Sequence, residues 1–232
     1  EAYLAAGPSQ KWLEGHGNSH FSPFYRAEGV ALQKRFFGHF LQGKATGGER
    51  QPPVQLQIRR PGEHFTVRDE QEWPLARTQW IRYYLDPATR TLGTTPRTGA
   101  PISYRTTDDG IRFSLPPATE EMEITGPVAA RLVVSSRTTD ADIFLALRLF
   151  APDGKEVHFI GSNDPRVPIA LGWLRASHRK LDLAKSLPYR PYHSHDELQP
   201  LVPGEPVVLD IEILPTSIVV PAGYTLVLNI RG

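Results

Sequence analysis

The sequence lacks cysteine altogether, and it has one methionine, a net charge close to zero and no long apolar run. Without cysteine the chain can form neither disulfides nor thiolate metal sites, and it has no thiol nucleophile. The net charge of +1 gives no electrostatic reason to expect nucleic acid or an anionic membrane as a partner. No apolar run approaches the roughly 18–20 residues that span a bilayer. These absences exclude several classes of protein and leave the compartment undetermined, with the cytoplasm favoured.

Motifs of common nucleotide and metal enzymes are missing too. The sequence has no P-loop, no Gly-x-Gly-x-x-Gly after a strand and no His-Glu-x-x-His. The nucleophile motif Gly-x-Ser-x-Gly is also absent, since the nearest string, residues 17–21, lacks the second glycine that lets a strand turn sharply beneath an exposed serine. We therefore expect no serine nucleophile within this chain, and no cofactor.

Alternating apolar and polar residues dominate the chain from about Val54 onward. Runs of this kind, separated by turn signals such as Asp108-Asp109-Gly110 and Pro203-Gly204, predict many short strands. The strand candidates are residues 54–59, 79–85, 111–115, 128–135, 142–150, 207–213 and 226–230. The pattern predicts a mainly β fold, built as a two-sheet antiparallel sandwich. The long segment 179–203 is expected to wrap across the sandwich or to reach a neighbouring domain.

Residues 1–45 have a different, α/β character. Residues 11–15 predict a short strand, and Gly17-Asn18-Ser19-His20 forms a polar loop after it. Apolar residues at helical spacing then predict a helix over 26–41, with Gly43 as its stop signal.

Two groups of side chains are candidates for binding. The first is His193-Ser194-His195-Asp196-Glu197, where two imidazoles and a carboxylate could bind a metal ion. Glu197 follows His195 too soon for a cupin-like metal site, and the surrounding prolines and tyrosines indicate a loop. We therefore expect no metal. The isolated histidines His39, His64, His158 and His178 are expected to have no catalytic role. Three tryptophans could form a stacking surface for sugar rings or belong to core and domain contacts: Trp73, Trp80 and Trp173.

His20 is the candidate catalytic residue. In α/β-hydrolases the triad order along the chain is Ser, then Asp or Glu, then His, with the histidine on a loop after the last strand. Its imidazole takes the proton of the serine hydroxyl and returns it to the leaving group. His20 lies in such a loop before an aromatic helix, while its rival His16 lies closer to the strand.

Three ordered blocks of sequence resemble the cocaine esterase and X-prolyl dipeptidyl-peptidase family of serine hydrolases. The first contains Lys11-Trp12-Leu13, Gly17–His20 and residues 32–41; the second is Arg59–Gly62 with Glu72–Thr78; the third runs from Gly172-Trp173-Leu174-Arg175-Ala176-Ser177-His178-Arg179 to Pro221-Ala222-Gly223. The resemblance implies an α/β-hydrolase domain bearing Ser-His-Asp, a helical cap, and an antiparallel jelly-roll (galactose-binding-like) sandwich packed on both. By position, His20 matches the family's catalytic histidine.

The resemblance also implies how the chain is organised. Residues 1–45 would be the end of the hydrolase domain and residues 46–232 an incomplete sandwich, so this chain alone is expected to be inactive. The substrate would be a small ester, amide or peptide, held by a hydrolase domain outside this sequence, and a homo-oligomer is possible. Residues expected to contact the cleft or another domain are Trp173, Tyr189, Tyr192, His193 and His195. The alternatives are a carbohydrate-binding sandwich and a purely structural oligomerisation domain.

Overall fold

The computed structural model describes residues 2–232, and strands make up most of its regular structure. The prediction of a mainly β fold is confirmed. The chain divides into two compact units. Unit 1 contains residues up to Thr78 together with His158–Val167 and Ser217–Val219. Unit 2 contains Gln79–Val157, Pro168–Thr216 and Val220–Gly232.

Unit 1 combines three helices with a small sheet. Its elements are α1 (Ala2–Ala5), β1 (Leu13–Gly15), α2 (Ser22–Tyr25), α3 (Ala27–Gln42), a 3-10 turn (Gly48–Arg50), β2 (Val54–Arg60) and β3 (His64–Glu70). Strand β2 is central: it pairs in parallel with β1 and antiparallel with β3. Its alternating residues Val54, Leu56 and Ile58 are buried because they face the small core, which also contains Leu75 and Val219.

The predicted helix of residues 26–41 is α3, displaced by one residue at each end. Gly43 ends it in a left-handed conformation (φ 64°), which a glycine adopts without a steric cost. Trp12, just before β1, packs against the helix, with its ring centroid 5.9 Å from that of Phe36 and 5.6 Å from that of Phe40. The short helix α2 before it was not predicted, because four residues are too few to show a helical period.

Unit 2 is built on strands alone, apart from one 3-10 turn (Ala176–His178). Its strands are β4 (Tyr84–Asp86), β5 (Thr91–Gly93), β6 (Ile111–Ser114), β7 (Met122–Val134), β8 (Asp142–Phe150), β9 (Glu156–Val157), β10 (Ala170–Arg175), β11 (Val207–Val220, of which Ser217–Val219 belong to unit 1) and β12 (Thr225–Arg231). Neighbouring strands follow the order β11, β10, β8, β12, β6, β5, β4, with β7 beside β11 and β9 beside β8.

Most of the registered pairings in unit 2 are antiparallel. Strand β8 pairs antiparallel with both β10 and β12, and its residues Leu145, Leu147 and Leu149 face the core. Strands β5 and β6 are parallel, as β1 and β2 are in unit 1, so the pairing is mixed rather than purely antiparallel. The prediction of a strand over residues 79–85 was wrong for residues 79–83, because pairing with β5 begins only at Tyr84.

Candidate functional site

The loop that contains His20 is held in place by its backbone. The N–H of Gly17 donates to Oε1 of Gln57 on β2 (3.1 Å), and the N–H of His20 donates to the carbonyl oxygen of Ser162 (3.5 Å). Gly17 lies against the ring of Phe65 on β3, where a Cβ atom would lie 2.1 Å from Cε1. Asn18 turns the loop with a left-handed backbone (φ 70°), a conformation that asparagine tolerates better than most residues. The loop geometry thus depends on β2 and β3.

The imidazole of His20 is exposed, and it has no hydrogen-bond partner within residues 2–232. Its only ring contact there is edge-on with Phe21, at 4.8 Å between centroids. His16 differs, because its Nδ1 lies 3.2 Å from the carbonyl oxygen of Gly17 and must donate a proton to make that bond. Both ring nitrogens of His20 are therefore available to a further group.

Exposed apolar side chains follow His20 along α2 and α3. Phe21, Phe24 and Tyr25 are 63%, 56% and 73% exposed. Further along α3, Phe37 and Leu41 are exposed as well, and Gly38 is the one buried residue of α3. Exposed apolar surface on this scale is typical of a face that packs against other protein.

In the block Gly172–Arg179 of unit 2, in contrast, most residues other than Trp173 are buried or held by hydrogen bonds. Gly172 lies so close to β11 that a Cβ atom would be 2.4 Å from the carbonyl oxygen of Glu212. Leu174 and Ala176 are buried, and Arg175 donates two hydrogen bonds to Asp142, at 2.8 and 2.9 Å. Arg179 donates to the carbonyl oxygens of Ala176 and Gln199.

Asp140 accepts hydrogen bonds from the 3-10 turn at the end of this block. Its carboxylate accepts hydrogen bonds from the N–H (2.9 Å) and the hydroxyl (2.6 Å) of the buried Ser177, and from the N–H of Ala141 (2.9 Å). Burial raises the pKa of Asp140, but the hydrogen bonds from Ser177 and Ala141 outweigh it and leave the pKa below its ordinary value. This geometry gives the block a structural role.

Three histidines meet at the segment 179–203. Nδ1 of His178 lies 3.0 Å from Nδ1 of His195, so one ring donates a proton and the other accepts it. The ring centroid of His193 is 6.0 Å from that of His195, and burial lowers its pKa below the ordinary value. The expectation that His178 stands alone was wrong, because its partner is 17 residues away in sequence. Within residues 2–232 no group of three or more histidine and acidic side chains is arranged to hold a metal ion.

The two tyrosines of the segment have separate partners. The ring of Tyr189 stacks on Trp80 with centroids 4.3 Å apart and planes 4° apart. Tyr192 lies under the ammonium group of Lys185, 5.0 Å from its Nζ. The segment is thus an ordered loop with aromatic contacts, and it contains four of the five residues predicted to contact a cleft or another domain.

The fifth, Trp173, lies on the outer face of β10, beside a shallow cavity of about 380 Å³ that we call the outer trough. Cross-strand pairing sets Trp173 opposite Phe144 of β8, and Leu171 opposite Ala146. Phe144 was missed in the sequence, although its position in β8 falls on the face opposite to Ile143 and Leu145. The trough is lined mainly by Thr106, Phe144, Arg148, Leu171, Trp173 and Arg231.

No helix within residues 2–232 is long and apolar enough to cross a membrane.

Comparison with known proteins relates this β-rich architecture to hydrolases. Residues 46–232 match the family model of the X-Pro dipeptidyl-peptidase C-terminal non-catalytic domain. A Mycobacterium bovis protein that is provisionally named a serine esterase is 27% identical over 85% of this chain and 35% of its own length. The cocaine esterase of a Rhodococcus strain is 29% identical over 56% of this chain and 29% of its own.

Solved structures show the same similarity. The crystal structure of a CocE/NonD family hydrolase from Staphylococcus aureus, 27% identical, superimposes with a TM-score of 0.93 over 99% of this chain and 42% of that protein. An α-amino acid ester hydrolase at 15% identity shares the fold, with a TM-score of 0.64 over 90% of this chain and 37% of its own. The chain spans about a third of the length of the curated relatives it matches.

The fold and these matches show that residues 46–232 form a non-catalytic, β-rich domain of a type found in hydrolases. Within that class, the chain belongs to the X-Pro dipeptidyl-peptidase C-terminal domain family, and its relatives are cocaine esterase-like hydrolases.

Proposed function

We propose that this chain is the C-terminal region of a serine hydrolase that cleaves ester or amide bonds through an acyl-enzyme. Residues 1–45 supply the end of the catalytic domain, and residues 46–232 form the accessory sandwich. The observation that carries the proposal is the open imidazole of His20, on a loop whose backbone is held at Gly17 by Gln57 and Phe65 and at His20 by Ser162. X-Pro dipeptides are one substrate class within this proposal.

In this function His20 removes the proton from a serine hydroxyl and later protonates the leaving group. Such a base needs a free nitrogen within about 2.6–3.2 Å of the nucleophile. His20 can offer either ring nitrogen because neither is bonded within residues 2–232, whereas Nδ1 of His16 is engaged by Gly17 and leaves only Nε2. The serine and the acidic member of the triad come from outside this sequence, so the chain alone is inactive.

The exposed aromatic face of α2 and α3 supports the same proposal. Phe21, Phe24 and Tyr25 would lose water if the rest of a hydrolase domain packed over them, and each buried aromatic side chain contributes roughly 1.5–3 kcal/mol to such packing. The candidate contacts Tyr189, Tyr192, His193 and His195 would face the cleft or a neighbouring domain. Trp173 is a candidate for the same role.

The test compares the 232-residue chain with the longer protein encoded by the reading frame that contains it. We expect hydrolysis of p-nitrophenyl butyrate by the longer protein and none by the chain alone. In the longer protein, His20→Ala should lower kcat by at least about 10⁴-fold, because the serine loses its base. His16→Ala is the matched control and should keep most of the rate. A His20→Ala variant with normal turnover would contradict the proposal.

A further inference from the structure

Glu63 occupies an unusual place in the turn between β2 and β3. Its backbone is left-handed (φ 58°), directly after Gly62, which is also left-handed (φ 85°). Residues other than glycine and asparagine rarely adopt this conformation, because their Cβ atom approaches the following carbonyl oxygen. A glutamate at a position where glycine would carry no strain indicates a role for its side chain.

The side chain of Glu63 holds a second hairpin of unit 1, residues 158–167. Its Oε1 accepts a hydrogen bond from the backbone N–H of Ile160, at 2.6 Å. Phe159 and Val167 exchange both hydrogen bonds of their antiparallel pair, at 2.9 Å each, which directs the backbone N–H of Ile160 to the outside of the hairpin. Glu63 thus does at this edge what a neighbouring strand would do.

Arg59 and Phe159 fix the base of this hairpin on β2. Phe159 is fully buried, and the guanidinium group of Arg59 lies over its ring, 4.6 Å from the centroid. Burial lowers the pKa of Arg59, and the negative charge of Glu63 opposes that shift. The carboxylate of Glu63 therefore interacts with the base of the hairpin through Arg59 as well as with Ile160.

The tip of the hairpin reaches the loop that contains His20. The N–H of Gly161 donates to the carbonyl oxygen of Asp164 (2.8 Å), which closes the tip into a tight turn. Within this turn, the carbonyl oxygen of Ser162 accepts the backbone N–H of His20 (3.5 Å). A single residue separates Ile160 from Ser162, so a displacement of Ile160 also displaces the acceptor that His20 uses.

We propose that Glu63 is a positioning residue for His20. Glu63 fixes Ile160, the tight turn carries this placement to Ser162, and Ser162 fixes the backbone from which the imidazole projects. The inference rests on the proposed function, because it takes His20 as the base. A base must lie within hydrogen-bond reach of its nucleophile, and a misplacement of about 1 Å can lower the rate by about 10²-fold. Glu63 takes no part in proton transfer.

The first test is the hydrolysis of p-nitrophenyl butyrate by the longer protein that contains this chain. Glu63→Ala should lower kcat by about 10- to 100-fold while KM changes by less than about twofold, because the base moves and the substrate contacts do not. Glu63→Gln keeps an Oε1 acceptor for Ile160, so its kcat should stay within about threefold of the wild-type value. Asp69→Ala is the matched control: it removes an exposed carboxylate of β3 that bonds to Gln55, and kcat should change by less than about twofold.

Glu63→Gly separates positioning from stability. Glycine relieves the backbone strain, so this variant should melt at a higher temperature than Glu63→Ala, yet its kcat should be equally low. A kcat that recovers with the melting temperature would show that Glu63 serves the fold alone, and it would overturn the inference. Should Glu63→Ala fail to fold, Glu63→Gly and Glu63→Gln still give the comparison.

The second test needs no enzymatic activity. In proton–nitrogen correlation spectra of the 232-residue chain, Glu63→Ala should shift the amide signals of Ile160, Ser162 and His20, while Asp69→Ala should leave all three in place. If only the Ile160 signal moves, Glu63 does not position His20 and the inference fails.

The two tests distinguish this inference from the proposed function. If His20→Ala abolishes turnover but Glu63→Ala and Glu63→Gly keep it, the inference is wrong and the proposed function stands. If the longer protein hydrolyses no ester, or His20→Ala keeps normal turnover, the proposed function is wrong. The spectra then decide separately whether Glu63 places the backbone of His20.

Discussion

The His20 loop of unit 1 and the Gly172–Arg179 block of unit 2 differ in how completely their side chains are bonded. In the block, Gly172 lies against β11, Arg175 is held by Asp142, and Ser177 by Asp140. In the loop, the backbone is held at Gly17 and at His20, while the His20 side chain is free and exposed. Both segments carry the family resemblance, but only the loop presents an unused reactive group.

This difference distinguishes two roles that residues typical of the family can have, one in the fold and one in function. A residue whose bonds are all made within its own unit serves the fold, since removing it leaves buried groups without partners. A fixed backbone that presents an unpartnered side chain is preorganised for something outside the unit. The block therefore stabilises unit 2, and the loop is the place where chemistry is expected.

Replacing Asp140 by alanine should show the largest effect on stability. The change leaves the N–H and the hydroxyl of Ser177 and the N–H of Ala141 without their acceptor, and Ser177 is buried. We expect a loss of about 2–3 kcal/mol in the free energy of unfolding, measured by urea denaturation. Asp153→Ala, in an exposed turn, is the control and should cost less than about 0.5 kcal/mol. Equal losses for the two variants would refute a structural role specific to the block.

Gly172→Ala should have the next largest effect. The added methyl group would meet the Glu212 carbonyl at 2.4 Å, so β10 and β11 must move apart. Overpacking of this kind costs about 1–3 kcal/mol. Gly93→Ala is the matched control, because Gly93 is also in a strand but has no atom within 4 Å of the new Cβ. Thermal unfolding of both variants gives the comparison, and an unchanged Tm for Gly172→Ala would contradict it.

Acidification should destabilise unit 2 through His193. Burial lowers the pKa of His193 in the folded chain below its ordinary value of 6.5, although a backbone hydrogen bond at Asp210 opposes the shift, while His195 and His178 reinforce it. Below pH 6.5 the unfolded chain therefore binds more protons than the folded chain, and stability falls as the pH drops toward the folded pKa. Urea titrations from pH 7.5 to 5 measure the slope.

His193→Gln should flatten this slope because the titrating group is gone. The matched control is His64→Gln, at an exposed position in unit 1, and the slope should persist in that variant. Lys180, Asp196 and Glu197 lie in the same segment and stay ionised over this range. Hydrogen bonds to Glu197 and Asp196 raise the pKa of Lys180, the hydrogen bonds from Ser194 and then Lys180 lower the pKa of Asp196, and the bond from Lys180 lowers that of Glu197. A wild-type slope in His193→Gln would show that another group is responsible.

The smallest effect on stability is expected for His20→Ala. The imidazole is exposed and has no hydrogen-bond partner within residues 2–232, so the free energy of unfolding should change by less than about 0.5 kcal/mol. The far-UV circular dichroism spectrum and the urea midpoint of the 232-residue chain measure this. A loss above about 1 kcal/mol would show that His20 serves the fold, and the contrast between the loop and the block would disappear.

Local patterns predicted the elements well where the period was long and clear. Helix α3 and strands β8 and β12 appear within one or two residues of their predicted bounds. Residues 79–83 were wrongly predicted as a strand, since their local composition suits a strand but no partner pairs with them. The parallel pairings of β1 with β2 and β5 with β6 were not predicted, because strand direction depends on the course of the whole chain.

The candidate sites divide in the same way. His20 was predicted as the catalytic residue from its place after a strand and before a helix, which the order of residues along the chain already shows. The contact of His178 with His195, the stack of Trp80 on Tyr189 and the pair of Trp173 with Phe144 join residues far apart in sequence. Local sequence patterns do not predict contacts between residues so far apart, so these contacts could be known only from the folded chain.

The sequence by itself determined the β-rich class, the family, the absence of a Gly-x-Ser-x-Gly motif and the position of His20, because each depends on residue identity and local spacing. The tertiary structure alone decided that Gly172, Arg175, Ser177 and Arg179 of the block are held by neighbouring residues, that the His20 ring is open, and that His178 contacts His195. The physical reason is that burial and hydrogen-bond partnership belong to pairs of residues brought together by folding.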